Sequence, residues 1–479
     1  MIIITQLKKN IFYSLMYQVL ILILPLGTIP YISRVLGAEG IGIYSYSYSV
    51  ALYFTFITMM GLNNYGNRTI ASVQDDLEKR SEKFFEIFLM QAIFFTISFV
   101  LYLIYLFTLS GDRTIEFIQI IFLFSALFDI NWFFFGMEQF QLTVYRNTIV
   151  KLISLILIFC LVRDYNDIYI YTFIMSTSYF ISQLWLWAYI KRYVKYKKVK
   201  FKNVIKHIKP NLVLFIPVIA VSIYRIMDKI MLGNMGPLIE LGYFENAEKI
   251  VNVPIALFTA VGVVMLPRMT SLLSFNDKKI SEKYIDLTMF IVLGFSIGAL
   301  FGIISIATEF SLLFFGDNFL KAGTIMKFLS PTIVVLAFGN VIRTQILIPN
   351  KQDRIYVFSG ICGAIINLIC NIILIPKFYS VGAAIGTVIA EFVVCFYQAY
   401  SIRKELKIIK YLKESIVFVL FGLIMMIFIK LIPEINNQYI SLIIKIFTGG
   451  CVYGILCVLY IIKKFGCSIG IIYKNANKK

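Results

Sequence analysis

Charged side chains interrupt the long apolar runs of this sequence, and they are the residues best suited to do chemistry. Two sets share the spacing i, i+3 and i+4: Arg225, Asp228 and Lys229, then Glu245, Glu248 and Lys249. Residues three and four apart lie on one face of a helix, so each set predicts a charged helix face. A charged group at the centre of a bilayer costs about 3 kcal/mol or more, which makes such residues candidates for a binding or ion pathway.

Arg343 stands alone in its apolar run, with no acidic residue at helical spacing. A guanidinium can clamp phosphate oxygens through two donors, so we predict that Arg343 binds an anionic group. The other cavity candidates are cations or neutral donors: Arg225, Lys229, Lys249, Asn63, Asn64, Asn252, Arg34 and Arg68. The coupling-ion candidates are carboxylates: Asp129, Asp228, Glu245, Glu248 and Glu391. The alternative is that these charges pair with one another to stabilise the helices, or reach water from the span ends.

Aromatic residues are concentrated after the first predicted span, at Tyr44, Tyr46, Tyr48, Tyr53 and Phe54. Aromatic belts at membrane interfaces are common and explain such a cluster without any ligand. Tyr44, Tyr46 and Tyr48 alternate along the chain, so they do not all share one helical face and cannot all line a cavity. Stacking of a sugar on one of them is the alternative interpretation.

The elements that must position these residues are membrane helices. Of 479 residues, 59% are hydrophobic and 15% are charged, and the mean hydropathy is +0.84. Soluble domains carry roughly 25% charged residues. In hydrocarbon every backbone amide needs an internal partner, so only helices or closed barrels span a bilayer. The apolar runs are continuous over roughly 20 residues and do not alternate, which predicts an all-α integral membrane protein.

Fourteen spans are predicted, joined mainly by short loops. They lie near residues 10–33, 43–66, 84–109, 117–137, 148–162, 169–190, 211–233, 243–266, 284–308, 324–349, 355–375, 382–401, 415–431 and 439–462. With the amino terminus inside, the inner segments hold 32 Lys and Arg residues, the outer segments hold five and the spans hold eight. Because basic residues collect on cytoplasmic loops, this asymmetry predicts that both termini are cytoplasmic.

The chain repeats itself weakly. Three short matches carry the repeat. Leu36-Gly37 matches Leu232-Gly233 at an offset of 196 residues. Gly42 matches Gly242, and Arg68 matches Arg268, both at an offset of 200 residues. Six spans separate the copies, so the two halves point the same way, as in transporters whose parallel repeats are related by an axis along the membrane normal. We predict a six-helix lobe over residues 1–208, a second over 209–403, and two additional helices with a cytoplasmic tail over 404–479.

Several segments resemble a known family. Residues 30–44, PYISRVLGAEGIGIY, resemble the first outer loop of Wzx-type O-antigen and capsule repeat-unit flippases, which belong to the multidrug/oligosaccharidyl-lipid/polysaccharide exporter superfamily. Residues 61–68, GLNNYGNR, are similar to the end of that family's second span, and residues 228–233, DKIMLG, are similar to its second half. Because the arrangement of six, six and two spans also agrees, the resemblance covers essentially the whole chain.

The resemblance implies two six-helix bundles around a central cavity, related by a pseudo-two-fold axis along the membrane normal. It implies a flippase that moves undecaprenyl-pyrophosphate-linked oligosaccharide from the cytoplasmic to the outer leaflet by alternating access, for O-antigen or capsule assembly. The expected location is the bacterial cytoplasmic membrane, and the expected partners are this substrate, membrane lipids and other polysaccharide-assembly membrane proteins. Its headgroup is anionic and rich in hydroxyls, which suits the cationic and amide candidates above.

The main alternative is a drug or cation exporter of the same superfamily, which would suit an acidic or apolar cavity. A membrane polysaccharide polymerase fits less well, since the outer loops are too short for a catalytic domain, and we do not expect an enzyme. Neither a cofactor nor a nucleic-acid partner is expected. The seven cysteines fall mostly in apolar runs without paired metal spacing. The single histidine, His207, lies in a lysine-rich segment where a solvated role is expected.

Overall fold

The computed structural model describes residues 2–108, 113–274, 277–433 and 435–465, with side-chain surroundings for all of these except residues 2–26, 216–225, 274, 278 and 465. These residues form α-helices without any strand. The helices are α1 (Ile2–Met59), α2 (Leu62–Ala71), α3 (Leu77–Thr108), α4 (Arg113–Phe128), α5 (Asn131–Gly136), α6 (Phe140–Leu161), α7 (Ile168–Ile190), α8 (Phe201–Met235), α9 (Leu238–Ser274), α10 (Lys278–Phe315), α11 (Leu320–Leu329), α12 (Pro331–Ile342), α13 (Asp353–Ser401), α14 (Ile408–Lys430) and α15 (Gln438–Phe465).

Two of these helices are each long enough for two crossings. The 58 residues of α1 would extend about 87 Å as one straight helix, whereas the hydrocarbon core is about 30 Å thick. The break in α1 falls at Gly37, whose φ of +67° is readily available only to glycine. The break in α13 falls at Tyr379, which has φ 48°. Both breaks lie between predicted spans, so each of these helices carries two of them.

Two predicted spans are interrupted helices. The fourth consists of α4 and the short α5, separated by Asp129 and Ile130. The tenth consists of α11, α12 and a π-helical turn, Arg343–Leu347. Pro331 begins α12, where its missing N–H is tolerated. Interrupted helices in membranes occur mainly where the freed backbone groups lie in protein or line a cavity.

The chain is an all-α, multi-pass membrane protein. Within the described residues, nine helical segments are long and apolar enough to cross a membrane. Large apolar side chains such as Phe107, Ile156 and Phe447 are exposed on these helices, as expected for a surface in contact with lipid. The helix bounds are consistent with fourteen spans. The main difference is that α6 begins at Phe140, eight residues before the predicted start.

The helices cluster into two compact units. The first unit contains Met1–Glu245 and Asn367–Ala383, and the second contains Asn246–Ile366 and Ala384–Lys479. These groups do not coincide with the predicted lobes over residues 1–208 and 209–403, and those lobe boundaries stay a prediction. The first unit has an aromatic core in which Phe84 packs 5.7 Å from Trp132 and 5.1 Å from Phe133, measured between ring centroids.

Two glycines of the first unit allow α1 and α9 to touch through their backbones. A methyl group added at Gly42 would lie 1.8 Å from the carbonyl oxygen of Leu238, and one added at Gly242 would lie 1.7 Å from that of Ala38. The 200-residue offset of the sequence repeat relates Ala38 to Leu238 and Gly42 to Gly242. It therefore converts the contact between Gly42 and Leu238 into the contact between Gly242 and Ala38. Such reciprocity is what a two-fold axis produces between equivalent surfaces.

Candidate substrate and coupling-ion site

An ion pair joins two of the predicted charged sets inside the first unit. Lys229 Nζ of α8 lies 2.6 Å from Glu245 Oε2 of α9, and these side chains are only 19% and 14% exposed. The Ser45 hydroxyl of α1 donates to the same carboxylate oxygen at 2.8 Å. Three helices therefore meet at one partly buried carboxylate. Lys229 therefore has an ion-pair partner on the neighbouring helix.

Asp228 occupies a more deeply buried position beside this pair. Its side chain is 2% exposed, and Asn371 Nδ2 donates to Oδ1 at 2.6 Å. The same Asn371 nitrogen lies 3.2 Å from Asn367 Oδ1. Among the described residues, Asn371 Oδ1 and Asn367 Nδ2 have no hydrogen-bond partner although both are buried. Buried polar groups usually find partners, so these free amide groups mark a place where a small polar ligand could bind beside a carboxylate.

Two candidates lie in the second unit. Arg343 is half-buried and begins the π-helical turn, and its guanidinium has neither a hydrogen bond nor an ion pair among the described residues. Glu391 of α13 is 3% exposed and does have an interaction partner. Single π-helical turns occur frequently at functional sites. The geometry leaves Arg343 free to take an anionic ligand, as the sequence predicted, although that role stays a prediction.

The remaining cavity and coupling candidates are less enclosed. Lys249 and Glu248 of α9 are half-buried. Five candidates are exposed: Asn63, Asn64 and Arg68 on α2, Arg34 on α1, and Asn252 on α9. The side chain of Arg225 lies outside the described residues. Their roles as substrate ligands therefore stay predictions.

Asp129 belongs to a polar network that the sequence did not reveal. Its Oδ1 accepts hydrogen bonds from the Asn131 backbone N–H at 2.9 Å and from Asn131 Nδ2 at 2.7 Å, which shapes the break between α4 and α5. Arg146, 2% exposed, donates to Asn131 Oδ1 and to Gln183 Oε1, both at 3.1 Å. We placed Arg146 on an inner segment because the predicted span began at residue 148, and this placement is wrong.

His207 is a second correction, because it is buried rather than solvated. Its side chain is 6% exposed, and Nε2 donates to Glu86 Oε2 at 2.8 Å. The Tyr65 hydroxyl donates to Nδ1 at 2.5 Å, and Lys83 Nζ lies 2.7 Å from the same Glu86 oxygen. His207 precedes the predicted seventh span, and burial lowers the pKa of its imidazole against the opposing effect of Glu86. This cluster holds α8 against α2 and α3.

The fold and its buried charges define a class: a polytopic helical membrane protein with ionisable groups held inside its bundle, which is the usual construction of a transporter. Residues 7–273 match the sequence profile described as polysaccharide biosynthesis protein. This match covers more than half of the chain, so the chain belongs to that family.

Proteins of similar sequence are named as a transporter and a flippase. The "Putative O-antigen transporter" of Shigella dysenteriae is 23% identical over 402 residues, which cover 83% of this chain and 100% of that protein. The "Lipid II flippase MurJ" of Bacillus subtilis is 25% identical over 224 residues, covering 43% of this chain and 41% of that protein.

Solved structures share the fold. A lipid II flippase MurJ in an inward closed conformation has a TM-score of 0.72 at 18% identity, over 94% of this chain and 98% of that one. An inward-facing multidrug resistance transporter of the MATE family has a TM-score of 0.55 at 14% identity, over 85% of this chain and 99% of that one. The prediction of an all-α integral membrane fold is confirmed.

Proposed function

We propose that this protein is a flippase that moves undecaprenyl-pyrophosphate-linked oligosaccharide repeat units from the cytoplasmic to the outer leaflet, for O-antigen or capsule assembly. The observation that carries the proposal is the cluster of Asp228, Lys229 and Glu245, which four helices hold inside a lipid-facing unit. Membership of the polysaccharide biosynthesis family and the names of the relatives support it.

The physical argument concerns the headgroup of the substrate. A pyrophosphate bearing sugars is charged and rich in hydroxyls, so hydrocarbon excludes it. A protein that carries it across must replace water with fixed polar groups, while the lipid tail stays in the membrane. Arg343 provides a cation for phosphate oxygens, because its guanidinium has neither a hydrogen bond nor an ion pair among the described residues. Alternating access would expose these groups first to one side and then to the other.

Orientation and location follow from the basic residues. Removing Arg146 from the inner count, because it lies on α6, leaves 31 inner Lys and Arg residues against five outer ones. A ratio this large supports an orientation with both termini on the cytoplasmic side of the membrane. For a bacterial chain, it supports a location in the cytoplasmic membrane, where lipid-linked repeat units would meet the protein on the inner leaflet.

Asp228 is the position we propose for a coupling proton or cation. The Asp228 carboxylate is buried, and ionisable groups inside a membrane bundle commonly mark an ion or substrate pathway. The free Asn371 and Asn367 amide groups beside it supply an oxygen acceptor and an N–H donor. Asp129, Glu245, Glu248 and Glu391 are the other carboxylates that could serve, but Asp129 shapes a helix break and Glu245 pairs with Lys229.

The decisive experiment uses cells depleted of this protein. Polyprenyl-linked saccharides would be extracted, identified by mass spectrometry, and assigned to a leaflet with a membrane-impermeant probe. The proposal expects complete repeat units confined to the cytoplasmic leaflet. Units that reach the outer leaflet but stay unpolymerised would favour a polymerase instead.

A drug or cation exporter is the second candidate, and the likeness to a multidrug transporter structure favours it. It predicts that depleted cells accumulate no saccharide lipid and become more sensitive to cationic drugs. The same cells can therefore distinguish the two candidates.

A further inference from the structure

Three tyrosines of the first unit form a row of nearly parallel rings. The ring planes of Tyr44 and Tyr48, one turn apart on α1, differ by 15°, with centroids 5.8 Å apart. Tyr179 of α7 continues the row, with its plane at 25° to Tyr48 and its centroid 6.0 Å away. We call Tyr44, Tyr48 and Tyr179 the tyrosine row. Tyr46 points elsewhere and donates to Asn234 Oδ1 at 2.8 Å, as expected for alternate residues on a helix.

Other aromatic rings hold the tyrosine row from the side. Tyr171 meets Tyr44 edge-on, with centroids 4.8 Å apart and planes at 69°. Phe122 lies 4.9 Å from Tyr48 and 5.0 Å from Tyr179, the latter at 70°. Phe122 is 5% exposed and Tyr171 is 9% exposed, so both supports are packed in the unit. Rings fixed in this way lose little conformational freedom on binding a ligand.

The α7 end of the row does not face lipid. Tyr179 is 39% exposed, yet it shares a helix face with Thr172 and Ser176, which are buried. The lipid-facing side of α7 is opposite and carries exposed residues such as Phe173 and Ile181. Tyr179 therefore opens onto a space on the polar side of the helix.

The α1 end of the tyrosine row, formed by Tyr44 and Tyr48, also faces protein and not lipid. In the described stretch of α1 from residue 41 to residue 59, no residue is exposed. This part of the helix is therefore surrounded by protein, unlike the helices that face lipid. The partial exposure of Tyr44 and Tyr48 is accordingly an opening within the protein.

Charged and hydroxyl groups lie beside the row. The Glu245 carboxylate lies near the row, because the hydroxyl of Ser45, the residue after Tyr44 on α1, donates to it at 2.8 Å. The same carboxylate binds Lys229 and the Ser45 hydroxyl. The space next to the rings thus combines aromatic faces with an anion, a cation and hydroxyl groups.

We propose that the tyrosine row is a carbohydrate-stacking subsite. A pyranose has one face of C–H groups and a rim of hydroxyls. The C–H face suits the electron-rich face of an aromatic ring, and the hydroxyls can hydrogen-bond with carboxylate, ammonium and phenol groups. A row of three rings offers contact to more than one sugar. This inference rests on the proposed function, because it assigns the sugar part of the proposed substrate to these rings.

The test measures binding of two lipids to the full-length protein in lipid nanodiscs. One probe is the saccharide lipid purified from cells depleted of this protein, and the other is undecaprenyl pyrophosphate without sugar. We expect Tyr48→Leu and Tyr179→Leu each to weaken binding of the saccharide lipid about three- to tenfold, as the loss of one aromatic contact implies. Binding of the sugar-free lipid should not change. Tyr48→Phe, which keeps the ring, should bind the saccharide lipid within about twofold of the unmodified protein.

Phe173→Leu is the matched control, since it removes an aromatic ring from the opposite, lipid-facing side of α7. It should leave both affinities unchanged. Equal binding of the saccharide lipid by Tyr48→Leu and by the unmodified protein would overturn the subsite. An equal loss for both lipids would also overturn it, because the ring would then be only structural. If depleted cells accumulate no saccharide lipid, the proposed function itself is wrong and the subsite is lost with it.

Discussion

At the scale of single residues, the charged groups in the spans differ in how they are neutralised. Lys229 and Glu245 form an ion pair at 2.6 Å, so each offsets the other's desolvation. Asp228 is hydrogen-bonded by the neutral Asn371. Arg343 has no such partner among the described residues. Substitutions of Arg343 and Asp228 should therefore differ in their effects on substrate binding and transport.

Arg343→Ala should reduce glycan display at least tenfold while the protein stays inserted and abundant, since one charged hydrogen bond to phosphate contributes roughly 1.5–3 kcal/mol. Arg343→Lys should recover part of the activity if charge alone matters. Arg354→Ala is a matched control, because Arg354 is exposed on an inner segment. Display is measured by glycan blotting of whole cells, and normal display in Arg343→Ala would contradict the assignment.

Asp228→Asn keeps the shape of the side chain and removes its charge. We expect it to abolish transport, with repeat units accumulating as in depleted cells, while binding of the saccharide lipid to purified protein is retained. Asp353→Asn, at an exposed position, should transport normally. Leaflet assignment of the accumulated lipid provides the measurement. Transport at the normal rate by Asp228→Asn would exclude this carboxylate as the coupling group.

His207 should make folding stability depend on pH. Because burial lowers its pKa in the folded protein, the unfolded chain takes up a proton first as the pH falls below about 6.5. Stability is therefore fully present above that pH and decreases below it. His207→Gln should show a smaller drop in melting temperature between pH 7.5 and 5.5, measured in detergent by scanning fluorimetry. An identical pH profile for the two proteins would show that folding does not lower the pKa of His207 and would contradict this prediction.

At the scale of helices, close contact requires the absence of side chains at particular positions. α1 and α9 meet where Gly42 faces the Leu238 carbonyl and Gly242 faces the Ala38 carbonyl. Backbones this close can form weak Cα–H···O contacts. The contact brings Ser45 within 2.8 Å of Glu245, so it also positions the proposed site.

Gly42→Ala should lower the free energy of unfolding by about 1–3 kcal/mol, as expected for overpacking, because the added methyl group would lie 1.8 Å from a carbonyl oxygen. Gly242→Ala should behave in the same way. Gly27→Ala is the control, because Gly27 lies on the same helix α1 and has nothing within 4 Å of the added methyl group. This control should be neutral or slightly stabilising, because alanine favours helix more than glycine. Thermal unfolding of purified protein measures all three, and a neutral Gly42→Ala would contradict the close contact.

At the scale of the whole molecule, the distribution of basic residues predicts topology. Tyr196 lies on the predicted inner side and is 83% exposed, and Gln438 begins α15 on the predicted outer side. In a variant without native cysteines, Gln438→Cys should react with a membrane-impermeant maleimide in intact spheroplasts. Tyr196→Cys should react only after lysis. The reverse pattern would invert the orientation and contradict the proposed direction of transport.

The sequence by itself was enough to predict the membrane class and the helical fold. Hydrophobicity over about 20 residues is a local property, and lipid imposes helix on any such run. The gap between the first two spans, where α1 breaks at Gly37, and the 200-residue repeat were also visible, since both are features of residue order. The start of α6 was missed because Arg146 looked like a loop charge.

Only the tertiary structure decided which groups meet. Lys229 and Glu245 are 16 residues apart, and Asp228 and Asn371 are 143 apart, so no helical spacing could pair them. His207 looked solvated because its neighbours in sequence are lysines, whereas its partners in space are Glu86 and Tyr65 on other helices. Burial and pairing depend on how helices pack, and packing depends on contacts between residues that are distant in the chain.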